Sequence, residues 1–124
     1  CILLVEDNLI NREIAKDILA SINATVECAE DGKQALDMFL ASEPAHYDII
    51  LMDIQMPVMD GYRAARSIRA LNRSDAAAIP IYAMTANTFQ EDIDKALAAG
   101  MNGHIAKPID INALMQVLRR VAGA

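Results

Sequence analysis

The sequence predicts an α/β protein: a three-layer α/β/α sandwich built on a doubly wound, five-stranded parallel sheet in the order 2-1-3-4-5. Three observations predict it. Five short apolar runs alternate with stretches whose apolar residues recur at helical spacing, the pattern of a repeated β/α unit. Turn and capping residues fall at the junctions between them. The 124 residues are 54% hydrophobic but only 4% aromatic, enough for one domain with an aliphatic core. Right-handed crossovers restrict the arrangement, and 2-1-3-4-5 is the common order for five doubly wound strands, although the sequence alone does not fix it.

The elements follow in order. Ile2-Leu3-Leu4-Val5 and the run from Asp48 to Met52 are continuously apolar, as central strands covered on both faces require. Thr25-Val26-Glu27-Cys28 alternates more, as an edge strand does, and Pro80 to Met84 and Gly103 to Ala106 supply the fourth and fifth strands. Between them run the stripes Ile10, Ile14, Ile18, Leu19; Ala35, Leu36, Phe39, Leu40; Ala64, Ala65, Ile68, Leu71; Ile93, Ala96, Leu97; and Ile111, Leu114, Met115, Leu118. Each can cover one face of the sheet. Asp31-Gly32 precedes the second stripe, Asp60-Gly61 opens the third, Gly100 ends the fourth and Asp110 is placed to cap the fifth.

Composition narrows the function classes. Net charge is -6 with a pI near 4.7, and the bases are scattered apart from Arg119-Arg120, which argues against direct nucleic-acid binding. No apolar run approaches the ~18 to 20 residues needed to cross a bilayer, and no charged-apolar-small leader opens the chain. Cys1 and Cys28 have no metal-binding or redox spacing and fall toward opposite ends of adjacent strands, too far apart to bridge. They read as reduced, small core residues of a cytoplasmic segment. Because the chain opens inside its first strand and stops just past its last helix, residues 1–124 are expected to be a single module of a longer protein.

In a doubly wound sheet, ligands bind beyond the carboxyl ends of the strands. Glu6 and Asp7 follow the first run, Asp53 ends the third, Thr85 follows the fourth and Lys107-Pro108 the fifth. Each alone reads as a cap or a loop residue. Together they bring three acids, a hydroxyl and an amine to one rim. Three carboxylates in a small pocket are tolerable mainly around a cation, and all-oxygen ligands favour Mg2+ or Mn2+. An amine opposite the metal suits a transferring phosphoryl group, for which a carboxylate beside the metal can act as nucleophile.

Val5-Glu6-Asp7-Asn8, Met52-Asp53-Ile54-Gln55-Met56-Pro57-Val58-Met59-Asp60-Gly61, Met84-Thr85-Ala86-Asn87 and Ala106-Lys107-Pro108 resemble the response-regulator receiver family of two-component signalling, whose fold is flavodoxin-like. The resemblance implies that Asp53 is the phosphoacceptor, taking the group from a phosphohistidine on a histidine kinase or histidine phosphotransfer domain. It implies that Asp7 binds the metal directly, Glu6 through water and Gln55 through its backbone carbonyl, while Thr85 and Lys107 contact the phosphoryl oxygens, with a cis bond before Pro108. Asn87 and Gln55 would line the water path that sets the phosphoryl lifetime. His104 stands where the family usually has an aromatic switch, and Tyr82 and Phe89 read as packing residues. His46 reads as a loop residue.

Asn8-Leu9-Ile10-Asn11-Arg12 and Thr85-Ala86-Asn87 resemble receivers attached to hybrid sensor histidine kinases, which implies a membrane-bound parent with this module, itself free of membrane contact, on the cytoplasmic side. Such a domain assists its own phosphorylation and dephosphorylation without being a stand-alone turnover enzyme. Leu9 and Arg12 on the first helix are expected to dock the histidine partner. The readout face is expected on the fourth helix, fifth strand and fifth helix, with Gln90, Glu91, Asp94 and Lys95 exposed. Two alternatives remain at this point: a receiver-like module that binds partners without phosphorylation, and a phosphatase with an aspartyl nucleophile. The phosphatase would need an acid two residues after the nucleophile, where this chain has Gln55, and would carry its nucleophile after the first strand.

Overall fold

The computed structural model describes residues 1–43, 46–54, 59–85, 90–106 and 111–123, with side chains at all of these except 74 and 121–123. The elements run β1 (Ile2–Val5), α1 (Leu9–Ser21), β2 (Val26–Ala29), α2 (Gly32–Ala41), β3 (Ile49–Asp53), α3 (Gly61–Arg69), α4 (Ser74–Ala78), β4 (Ile81–Thr85), α5 (Gln90–Ala98), β5 (Gly103–Ala106) and α6 (Ile111–Gly123). All strand pairs are parallel and the order is β2-β1-β3-β4-β5, as expected.

Alternation along the strands sends successive side chains to opposite faces. Leu3, Val5, Ile50, Met52, Ile81 and Ala83 face α2, α3 and α5 through Phe39, Ala65, Ile68 and Ala96. Ile2, Leu4, Ile49, Leu51, Tyr82 and Met84 face α1 and α6 through Leu19, Leu114 and Val117. β1, β3 and β4 are buried along their whole length, which explains their unbroken apolar runs. The edge strand β2 is only partly buried until Ala29.

Strands two to four each begin one residue later than the apolar runs suggest. Thr25 and Pro80 accept from the amides of Ile2 and Ile50 at 2.8 and 2.9 Å, and the Asp48 amide donates to the Cys1 carbonyl at 2.8 Å, yet Thr25, Asp48 and Pro80 lie outside the ladders. Asp31 and Asp60 cap α2 and α3 by accepting from the amides of Gln34 at 2.8 Å and Arg63 at 2.9 Å. Gly100 ends α5 at φ +94°, in the left-handed region. Asp110 lies outside the described residues.

Two expectations change. The stripe of α1 is only half inward: Ala15 and Leu19 are buried, but Ile10 and Ile14 remain 70% and 49% exposed. The buried arc of α1 is therefore narrower than its apolar content. The short helix α4 was not foreseen; it is anchored by Arg73, whose guanidinium pairs with Asp75 at 2.9 Å and lies over the Phe39 ring. Cys1 and Cys28 are free and partly buried, and they pack against opposite faces of the sheet, beyond any bridging geometry.

Candidate functional site

The acids collect at the carboxyl edge of the sheet. Val5 is paired with Met52, so Glu6, one residue past β1, stands level with Asp53 at the end of β3. The Glu6 amide donates to the Ala29 carbonyl at 3.0 Å, which prolongs the ladder by one bond. Asn8 then caps α1 by accepting from the Asn11 amide at 3.0 Å. Asp7 is left facing solvent rather than capping the helix. Oxygens of Glu6, Asp7 and Asp53 all lie within 4.8 Å of one another.

Burial makes this cluster unusual. Glu6 and Asp53 are only 2% and 3% exposed, and Thr85, at the end of the adjacent β4, is 4% exposed. Two nearly buried carboxylates with a third beside them form an all-oxygen donor set, which fits a hard divalent cation.

Close packing completes the floor of the pocket. A Cβ on Gly61 would meet the Asp53 carbonyl oxygen at 2.5 Å and the Ile54 Cα at 2.7 Å. The missing side chain lets α3 start against the strand end that carries Asp53.

Arg12 takes an unexpected place. Its side chain is 13% exposed, and its Nη1 donates to the Glu6 backbone carbonyl at 3.0 Å. It braces the acid-bearing loop from beneath instead of projecting from α1. No sequence pattern marks this; it follows from the direction of the first turn of α1. His104 is half-buried on β5 and registers with Ala83, while Ala106 registers with Thr85. His104 and Thr85 therefore share one face of the sheet two positions apart. Tyr82 is a buried core residue. Gln55, Asn87, Phe89, Lys107 and Pro108 lie outside the described residues, Lys107 directly following the last residue of β5.

A family model described as the response regulator receiver domain matches residues 2–119. This chain belongs to that family. The receiver is 41% identical, with a TM-score of 0.88, to the solved receiver domain of a sensor histidine kinase from Pseudomonas aeruginosa PAO1, and the match covers 99% of this chain and 97% of that one. That structure carries a magnesium ion coordinated in its active site cleft. A Saccharomyces cerevisiae receiver, co-crystallised with a histidine phosphotransfer signaling protein, is 32% identical with a TM-score of 0.85, covering 95% of this chain and 85% of that one. Among curated proteins, Probable histidine kinase 2 of Oryza sativa subsp. indica is 39% identical over 97% of this chain, and hybrid signal transduction histidine kinase I of Dictyostelium discoideum 38% over 94%. The receiver spans 12% and 7% of the length of these two relatives. No helix among the described residues is long and apolar enough to cross a membrane.

Proposed function

We propose that this receiver is a phosphorelay module that accepts a phosphoryl group on Asp53 from a phosphohistidine partner, with Mg2+ held by Glu6, Asp7 and Asp53. The observation that carries the reading is the convergence of these three carboxylates within 4.8 Å, two of them buried, at the carboxyl edge of the sheet.

A carboxylate oxygen of Asp53 attacks the phosphorus. The P–N bond to the partner imidazole breaks, the imidazole takes up a proton, and an acyl phosphate remains. Asp7 would bind the cation directly and Glu6 through water, with the Gln55 carbonyl as a further ligand, as the family resemblance implies. When bound, Mg2+ neutralises phosphoryl oxygens and so lowers the cost of bringing that charge beside carboxylates. Thr85 donates its hydroxyl proton to one phosphoryl oxygen and Lys107 pairs with another.

Phosphorylation adds about -1.5 to -2 charges at neutral pH. Drawing Thr85 towards this charge reorganises the face formed by α5, β5 and α6, with His104 beside it in the position of an aromatic switch. The partner docks on α1, where Leu9, Ile10 and Ile14 are 61%, 70% and 49% exposed, an apolar patch that begins two residues after Asp7. The parent is a hybrid sensor histidine kinase with this module in the cytoplasm.

Intact-mass measurement after mixing with a small phosphodonor tests the chemistry. One added phosphoryl group that requires both Mg2+ and Asp53, and is absent from Asp53→Ala, is the expected result. No adduct, together with no binding of beryllofluoride, would leave a module that binds partners without phosphorylation.

A further inference from the structure

We propose that Cys1, Glu27 and His46 form a second metal site, for Zn2+, at the β2 edge of the sheet and remote from Asp53. The thiol Sγ lies 3.5 Å and the imidazole Nε2 2.8 Å from the same carboxylate oxygen, Oε2 of Glu27. All three donor atoms fall within 4.8 Å of one another. Tetrahedral Zn2+ with bonds of about 2.0 to 2.3 Å separates its ligand atoms by roughly 3.3 to 3.8 Å. The 3.5 Å spacing falls in that range, the 2.8 Å spacing is shorter and the third pair lies within 4.8 Å, so small side-chain rotations bring the three donors onto one ion.

The donors are also held in place. Tyr47 donates its hydroxyl to the other oxygen of Glu27, Oε1, at 2.8 Å, which leaves Oε2 turned towards Cys1 and His46. The Tyr47 ring packs edge-on against His46 at 4.7 Å and stacks on Phe39 at 6.3 Å. A hydrogen-bonded carboxylate ligand on a buried aromatic support is how metal sites orient their ligands. An exposed His-Glu pair explains less, since such pairs contribute little to stability and give no reason for a thiol at the same oxygen. Sulfur, imidazole and one carboxylate suit Zn2+, whereas the all-oxygen pocket at Glu6, Asp7 and Asp53 suits Mg2+. Glu27 and His46 also line an open groove of about 400 Å3, bordered by Met38, Ser42 and Glu43.

Glu27 registers with Leu3, so the site lies about 10 Å along the strand direction from Glu6. An ion there joins the residue before β1, the edge strand and the loop entering β3. On binding, the thiol proton passes to solvent.

Co2+ serves as the spectroscopic probe for Zn2+, in a chain extended ahead of Cys1 so that its nitrogen is an amide, with Mg2+ in excess to occupy the carboxylate pocket. One equivalent of Co2+ is expected to produce sulfur-to-metal charge-transfer absorption that Zn2+ removes by displacement. Cys1→Ser abolishes the band and His46→Gln weakens binding at least tenfold, both with unchanged far-ultraviolet circular dichroism. Absence of the band, a band that survives Cys1→Ser, or unchanged Co2+ affinity in His46→Gln would overturn the proposal. Because the readout is the thiolate, it stands or falls independently of phosphorylation at Asp53.

Discussion

Glu6 and Asp53 are placed at strand ends where water is almost excluded, and each buried charge costs several kcal/mol unless a counter-ion compensates it. On the proposed function, Mg2+ bound among Glu6, Asp7 and Asp53 would offset the mutual repulsion of the three carboxylates. Glu6→Gln and Asp7→Asn are each expected to weaken Mg2+ binding by roughly tenfold or more, measured by calorimetric titration. Gly61 carries a different constraint. With backbone atoms 2.5 and 2.7 Å from any added Cβ, Gly61→Ala must push α3 away from the Asp53 strand end. Urea unfolding of that variant is expected to show a loss of about 1 to 3 kcal/mol, together with slower phosphorylation.

At the scale of elements, α1 serves two purposes that its sequence does not separate. Its inward arc is Ala15 and Leu19, and its outward one Leu9, Ile10 and Ile14. Replacing Ile10 and Ile14 together by Ser is expected to lower kcat/KM for transfer from a phosphotransfer protein about tenfold, while phosphorylation by a small donor stays unchanged. A further contact lies at the far end of α3. Arg69 donates to the carbonyls of Gly100 and Ala76 at 2.9 and 3.0 Å and to the Asn102 side chain at 2.9 Å, tying α3 to α4 and to the turn before β5. Arg69→Met is expected to cost about 2 to 4 kcal/mol in thermal or urea unfolding, since charge-assisted bonds to carbonyls are lost and acceptors are left behind.

The strands were legible because burial on both faces demands apolar runs, and their ends shifted by one residue because single backbone bonds reach past the ladder. The order of the sheet was legible only as the common solution. The short helix α4 was not, since Ser74-Asp75-Ala76-Ala77-Ala78 carries no periodic stripe and depends on Arg73 reaching Phe39. Arg12 looked like a docking residue because α1 was read from its spacing, whereas the side chain turns back to the Glu6 carbonyl. His46 looked like a plain loop residue because its partners, Glu27 and Cys1, are distant in sequence and meet it only through the β2–β1–β3 register.

For the whole molecule, parallel topology places the ends of β1, β3 and β4 on one rim and the Cys1, Glu27 and His46 cluster at the edge strand, away from that rim. The two sites divide oxygen donors from sulfur and nitrogen donors, so they favour unlike cations. The α1 patch lies beside the acid rim, where a donor histidine must approach, while the α5, β5 and α6 face lies on the other side of Thr85. On the proposed function, phosphate enters beside one surface and is reported on another.

The central claim is that Asp53 itself carries the phosphoryl group. Borohydride reduction of the phosphorylated domain converts an aspartyl phosphate to homoserine, and peptide mass spectrometry locates the converted residue. Homoserine at position 53, present only when Mg2+ and phosphodonor were both supplied, is the expected result. Homoserine at another acid, or none after a phosphoryl adduct has formed, would contradict the account.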